Sequence, residues 1–488
     1  MSQLLKYLLL SFLFLSVLSN QSFADSLSDA ERAYFTGDYE KAEKLIRPMA
    51  DQGNASAQNT LGVMYLNGQG VSQDYKEAVN WYQLAAAREN VDAQYNLGLL
   101  YENGQGVSQD YKEAVRWYQL AAAQGNALAQ NNLGVMYARG KGVPQDYQEA
   151  AKWHRLSAKQ GHVDAQYNLG LLYKRGQGVS QDNQEAVKWY RLAADQGNAL
   201  AQNNLGLLYA NGKGAEQDYE GAVKWYRLSA AQGNALAQNN LGVMYAQGKG
   251  VSQDYKEAVR WYQLAAAQGN ALAQNNLGVM YARGKGVPQD YQEAAKWHRL
   301  SAKQGHVDAQ YNLGLLYKRG QGVSQDNQEA VKWYRLAADQ GNALAQNNLG
   351  LLYANGKGAE QDYEGAVKWY RLSAAQGNAL AQYNLGLLYF NGKGVAQNHQ
   401  EALRLYQLAA EQGLVSAQYV IGWMYANGQG VQKDLIRAQM RFNLATDKGN
   451  NDAQKWRTLV AKEMTSIQIN QAQKMAEDCE KRSYKNCD

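Results

Sequence analysis

The sequence predicts an all-α fold: a right-handed α/α superhelical solenoid of about eleven 36-residue helix-turn-helix repeats with capping helices. Three observations carry this expectation. Trp recurs every 36 residues, at Trp81, Trp117, Trp153, Trp189, Trp225, Trp261, Trp297, Trp333 and Trp369. A glycine recurs with the same period from Gly62 to Gly422, eleven times in all. Residues 106–238 are identical to residues 250–382, a displacement of 144 residues or four units. A unit this short cannot bury its apolar face alone, so neighbours must stack on one another.

Residues 92–127 show the elements of one unit. Asp92 to Tyr101 reads as a first helix, with Ala93, Leu97 and Tyr101 at i, i+4, i+8 on one stripe. Gly104-Gln-Gly106-Val107 breaks it, because glycine supplies the left-handed conformation that ends helices. Asp110, with Glu113 three residues on, reads as an N-cap and its capping-box partner. The second helix, Tyr111 to Gln124, carries Ala114, Trp117, Tyr118, Ala121 and Ala122, and Gly125-Asn126 closes it. The Trp117 series reads as core. Gly98, inside the first helix, costs about 1 kcal/mol relative to Ala. Its recurrence implies a compensating close approach of the two helices, with Gly98 facing Ala114 and Ala121.

The ends differ from the middle. Residues 1–24 read as an export signal: Lys6, an apolar run from Leu8 to Leu18, then Ser22-Phe23-Ala24 with cleavage after Ala24. That run is shorter than the roughly 20 residues a spanning helix needs. No Cys follows it, so no stable membrane anchor is expected. Residues 25–52 read as a degenerate helix pair that caps the array, 53–449 as the tandem repeats, and 450–488 as C-terminal capping helices and tail. Within the last segment, Thr465 with Gln468 can cap a polar helix reaching about Arg482. Cys479 and Cys487 are the only cysteines, and an exported chain could join them in a small disulfide loop.

Composition and motifs argue against several chemistries. The formal charge is +5, and Lys and Arg alternate with Asp and Glu instead of forming a basic face, so no nucleic-acid partner is expected. Gly104-Gln-Gly106 resembles a phosphate loop only superficially. It follows a helix and lacks the Lys-Ser/Thr that such a loop requires. Of the five histidines, His154 and His298 replace the Tyr after Trp, His162 and His306 lie in inter-unit turns, and His399 stands alone. His162 with Asp164 makes no ligand cluster of metal spacing, so no metal site and no cofactor are expected. Ser-x-x-Lys, Gly-x-Ser-x-Gly and His-Glu-x-x-His are all missing. The chain reads as a non-enzyme.

The consensus Ala-x-x-x-Leu-Gly-x-x-Tyr-x-x-Gly-x-Gly-Val-x-x-Asp-x-x-x-Ala-x-x-Trp resembles the Sel-one-like repeat (SLR) family, a relative of the tetratricopeptide repeat. The resemblance covers roughly residues 28–463. It implies a superhelix whose first helices line a concave face, and an adaptor that assembles protein complexes at a cell envelope or a host contact. Mapped through Leu97-Gly98, the groove positions are those of Asp92, Tyr95, Leu99 and Glu102. Positions 95, 99 and 102 also fall at i, i+4, i+7, on the side away from Leu97 and Tyr101. The groove candidates along the chain are Tyr95, Leu99, Glu102, Tyr167, Lys174, Tyr311, Lys318, Tyr383, Phe390, Tyr419 and Trp423. Tyr and Trp suit protein interfaces, although packing on the neighbouring unit would account for the same residues. Family members that grip a carboxylate carry Asn where this chain has Leu99, which speaks against capture of a partner's C-terminus.

The expected function is therefore an exported scaffold, periplasmic or secreted from a bacterium, holding protein partners in its groove. The alternatives are a secreted host-interaction factor in infection, a weak β-lactamase-like hydrolase, and a peptidoglycan-binding envelope component. Members linked to β-lactam chemistry carry a cysteine pair in each unit, which this chain lacks.

Overall fold

The computed structural model describes residues 29–30 and 32–487; residues 1–24, expected to be an export signal cleaved after Ala24, lie outside the described residues. Every described element is a helix, and consecutive helices pack as pairs in an α/α solenoid of 36-residue repeats. The helices form two compact units. The first runs to Ala237 and takes in Lys249–Val251; the second comprises Gln238–Gly248 and the chain from Ser252 onward.

In residues 91–126 the first helix is Val91–Asn103. Its N-cap is Asn90, whose side chain accepts from the Ala93 N–H. The asparagine that reads as the close of one unit is thus the cap of the next. Gly104, at φ 69°, ends the helix. Gly106, at φ 72°, leaves no room for a side chain, because a Cβ there would meet the Tyr75 carbonyl of the preceding unit. Asp110 then accepts from the N–H groups of Lys112 and Glu113 and opens the second helix, Tyr111–Ala123.

Two expectations are corrected. The glutamate three residues after the cap does not serve as a capping-box partner; in three units it turns along its helix to the tryptophan four residues on, while Glu113, Glu257 and Glu329 pair with Arg116, Arg260 and Lys332. Glu149, Glu185 and Glu293 accept from Trp153, Trp189 and Trp297 Nε1 at 3.1, 3.0 and 3.1 Å. Second, the helix glycine faces an aromatic ring and not Ala114 and Ala121. A Cβ on Gly98 would collide with Tyr118, and one on Gly170 would lie 2.8 Å from Tyr190 Cδ1 and Cε1. The Trp row does pack on the core, as expected, but at its margin. Trp189 and Trp369 are buried, but Trp81, Trp117, Trp153, Trp297 and Trp333 are only partly so. The filling role belongs to the next residue: Tyr82, Tyr118, Tyr190, Tyr334 and Tyr406 are fully buried, as is Phe442.

Trp117 instead spans two units, packing on the cluster of Ala78, Tyr82, Ala85 and Leu97. After Trp369 the row stops, and Leu405 takes the position. A cleft of ≈ 510 Å³ opens there, lined among others by Arg371, Ala374, Leu385, Tyr389, Glu401 and Leu405.

One buried glutamine per unit joins neighbours. Gln130 donates to the Ala122 carbonyl of the preceding unit at 3.1 Å and accepts from Gln160 of its own unit at 2.8 Å. Gln166, Gln202, Gln274, Gln310 and Gln346 repeat the arrangement. Each is no more than 4% exposed. A buried amide left unpaired would cost about 1–3 kcal/mol, so each glutamine fixes how its unit seats.

At the N-terminal end, Ala30, Ala42, Ile46 and Met49 pack on Ala57, Leu61 and Met64. At the other end Asn451–Ala461 is followed by Ser466–Lys481, which opens on the expected Thr465–Gln468 capping box. That last helix lays Ala472, Ala476 and Cys479 on Met440 and Leu444, and Cys479 is disulfide-bonded to Cys487.

Two substitutions check this packing by thermal melts. Gly170→Leu drives a side chain into the Tyr190 ring and lowers stability by about 1–3 kcal/mol. Leu405→Trp restores the missing indole in the cleft and raises stability by about 0.5–2 kcal/mol.

Candidate protein-binding site

The first helices divide their side chains between two depths. In residues 91–103, Ala93, Leu97 and Leu100 are buried, whereas Tyr95, Leu99 and Glu102 are half-buried. The same half-buried state holds for Tyr167, Lys174, Tyr311, Lys318, Tyr383, Phe390, Tyr419 and Trp423. Each of these side chains leans on its own fold as well as facing outward. Tyr95 lies 6.0 Å from the Tyr118 ring centroid, Tyr167 5.9 Å from Tyr190, Tyr311 5.8 Å from Tyr334, and Tyr383 5.6 Å from Tyr406. Tyr419 sits 6.2 Å from Phe442. Leu99 packs on the cluster of Ala114, Tyr118 and Leu133. Phe390 is 4.6 Å from His399 and 5.9 Å from Trp423, forming an aromatic cluster near the C-terminal end.

The polar members are partly engaged. Glu102 accepts from the Tyr118 hydroxyl at 2.7 Å. Lys174 and Lys318 donate to Asn204 and Asn348 of the following units, each at 2.9 Å. Burial, then the positive charges of Arg175 and Lys213, pushes the Lys174 ammonium below its ordinary pKa; Lys318 responds likewise to burial, Arg319 and Lys357. Burial also raises the phenols of Tyr95, Tyr167, Tyr311 and Tyr383, so all four stay protonated donors at neutral pH.

Where the Tyr95 position holds asparagine, it serves a different purpose. Asn131, Asn239, Asn275 and Asn347 are 4–7% exposed. They accept from Asn168, Asn276, Asn312 and Asn384 of the next unit at 3.0–3.2 Å. These asparagines are rungs between units, and the outward face is carried by the tyrosines.

The histidines have structural roles. His162 and His306 stand where Asn caps other first helices, accepting from Ala165 and Ala309 N–H through Nδ1 at 3.2 and 3.3 Å. His154 and His298 fill the Tyr118 position at 2% exposure, each over its helix glycine. No group of three or more His, Cys, Asp or Glu among the described residues could hold a metal ion.

Sequence reasoning missed a second outward feature. Leu84, Leu120, Leu156, Leu192, Leu228 and Leu264 recur near the ends of second helices and are 42–45% exposed. Leucines at the starts of first helices, such as Leu128 and Leu200, are 45–46% exposed. Their 36-residue period was visible, but on a helical stripe such leucines read as core. In the last unit the equivalent Leu444 is 1% exposed, under the terminal helix.

The Sel1 repeat model matches residues 30–54 and then eleven successive 36-residue segments from 55–90 to 415–450. This chain belongs to the Sel1 repeat family. It is 39% identical to c5321, a protective antigen present in uropathogenic Escherichia coli strains displaying an SLR fold. That alignment covers 90% of this chain and 96% of that one, with a TM-score of 0.81. A Sel1 repeat protein from Oxalobacter formigenes is 38% identical over 63% of this chain and 89% of its own, with a TM-score of 0.51. No curated protein matches the sequence. Sel1 repeat solenoids are protein–protein interaction scaffolds and are generally non-catalytic. No helix among the described residues is long and apolar enough to cross a membrane.

The buried histidines make the scaffold acid-sensitive. Burial, then His162, lowers His154 from its ordinary 6.5 to about 4, and His298 follows through burial and His306. Each folded-state pKa is depressed, so the unfolded chain takes up the proton first. The contribution of these two histidines to stability is expected to be whole above pH 6.5 and to be lost as pH falls towards 4, by about 3 kcal/mol per histidine at one pKa unit per 1.36 kcal/mol. Melts over this pH range should show the loss in wild type and a smaller loss in His154→Tyr with His298→Tyr.

Proposed function

We propose that this Sel1 repeat protein is an exported adaptor that holds a protein partner against the outward face of its first helices. The observation that carries the reading is the row of half-buried tyrosines, Tyr95, Tyr167, Tyr311 and Tyr383, each braced by a buried ring and still reaching the surface. Rigid, amphipathic aromatics of this kind lose little entropy on binding and offer large contact areas. Export is supported by Lys6, the Leu8–Leu18 run and Ala24. The Cys479–Cys487 bridge agrees with it, since disulfides persist in oxidising compartments. The destination is the periplasm or the medium.

A host-contact role is the second reading, favoured by similarity to a protein that is a protective antigen of uropathogenic strains. The exposed leucine rows offer a second place for a partner, since Leu444 shows that this edge accepts a packed helix. Assays with nitrocefin and with insoluble murein test the hydrolase and peptidoglycan alternatives directly.

Residues 25–488, immobilised and exposed to envelope, medium and host extracts, should retain a partner. Tyr311→Ala with Tyr383→Ala should release that partner while far-UV circular dichroism stays unchanged. Retention by the tyrosine variant together with loss from Leu300→Glu with Leu336→Glu would move the site to the leucine edge.

A further inference from the structure

The surface adjoining His298 differs from that of the tyrosine units in a way that creates a polar hollow. In residues 91–126 the Tyr118 hydroxyl reaches the Glu102 carboxylate at 2.7 Å, so ring and carboxylate together fill the space beside the first helix. In residues 271–306 the equivalent positions are His298 and Ala282. The shorter imidazole and the alanine leave a cavity of ≈ 300 Å³, within the size range of ligand sites. Val279, Leu315 and Leu316 supply apolar lining, while Arg283, Arg319, His298, Asn312 and Gln321 supply polar groups. Leu315 and Ala282 hold the positions of Leu99 and Glu102, which places the cavity on the face assigned to the partner.

Its charge is unbalanced. Arg283 and Arg319 are exposed, and neither has a hydrogen-bond or ion-pair partner among the described residues. The nearby acids are committed elsewhere. Asp290 caps a helix, Glu293 holds Lys296 and Trp297, and Asp308 accepts from Asn342. Burial and the neighbouring Arg319 and Lys357 depress the Lys318 ammonium, as expected of cations crowded without an anion. His298 adds a buried Nδ1 that has no partner. The block duplication repeats every one of these residues around His154, with Arg139 and Arg175, and Nδ1 of His154 is likewise unpartnered.

We propose that the hollow at His298, and its duplicate at His154, receive acidic side chains of a bound peptide. The carboxylate takes the place that Glu102 fills in its own unit, between Arg283 and Arg319, and the methylenes lie on Val279, Leu315 and Leu316. Charge complementarity favours this occupant, because charge-assisted bonds to guanidinium are the strong ones. The inference rests on the groove reading and adds the chemistry of the partner: an extended segment bearing acidic residues.

The test follows a fluorescein-labelled hexaglutamate peptide by anisotropy with the full chain. Wild type binds it. A chain with Arg139→Ser, Arg175→Ser, Arg283→Ser and Arg319→Ser, melting as wild type, binds at least about tenfold more weakly. His154→Tyr with His298→Tyr refills both hollows with the ring of the other units and also weakens binding. No binding by wild type, or equal binding by the folded four-arginine variant, overturns the proposal. So does displacement of the peptide by inorganic phosphate as readily as by unlabelled hexaglutamate, which would mark a simple anion site. A captured partner lost from the tyrosine pair variant but retained by the four-arginine variant would sink this inference and leave the groove reading standing.

Discussion

The array depends on one buried glutamine in each unit. At Gln130, Gln166, Gln202, Gln274, Gln310 and Gln346 the amide donates to a carbonyl at the end of the preceding second helix and accepts from the glutamine that closes its own unit, whereas Gln418 accepts from Arg441. Because water is excluded there, both bonds must form together, and they form only when neighbouring units seat in one register. Apolar contacts such as Trp117 on Ala85 and Leu97 supply attraction, but they tolerate sliding in a way that a paired amide does not. Register matters for function, since a face made of one or two side chains per unit is continuous only if every unit is turned alike.

Inside each unit the corresponding constraint is the glycine beneath an aromatic ring. Gly170 gives up helix propensity so that Tyr190 can lie flat against the first helix and be wholly buried. From beneath the surface the ring then braces the half-buried Tyr167, 5.9 Å away between centroids. Core and candidate binding surface are thus in direct ring-to-ring contact. That coupling explains why exchanging the ring for His154 or His298 has two consequences. It leaves an imidazole held neutral by burial, and it opens a hollow beside unpaired arginines.

The two outward surfaces differ in what the fold has already done with them. The tyrosine face is half-buried and braced, so a partner would meet side chains with little freedom left to lose. The leucine edge is more exposed, and the chain itself covers it once, where Ala472, Ala476 and Cys479 rest on Leu444. The last unit carries Ile436 and Met440 beside that leucine, whereas Lys112 and Arg116 hold the same positions in residues 91–126. Internal units thus keep a charged border around each leucine that the terminal unit gives up.

The sequence by itself determined the solenoid, its period and the ends of its helices, because those follow from local chemistry repeated many times. Gly104 stops a helix and Asp110 starts one whatever surrounds them, and Thr465 with Gln468 caps the last helix as read. The half-buried state of Tyr95, Leu99 and Glu102 agrees with their i, i+4, i+7 spacing. What only the tertiary structure decided was which repeated residue does which task. Trp and Tyr are adjacent in sequence and equally periodic, yet packing against the preceding unit leaves Trp117 at the edge and Tyr118 at the centre. The buried glutamines, the asparagine rungs and the hollow at His298 lie between elements 30 or more residues apart, or between units. No pattern confined to one helix carries that information. A periodic sequence states that a position matters; its partner across the helix pair or in the next unit determines why.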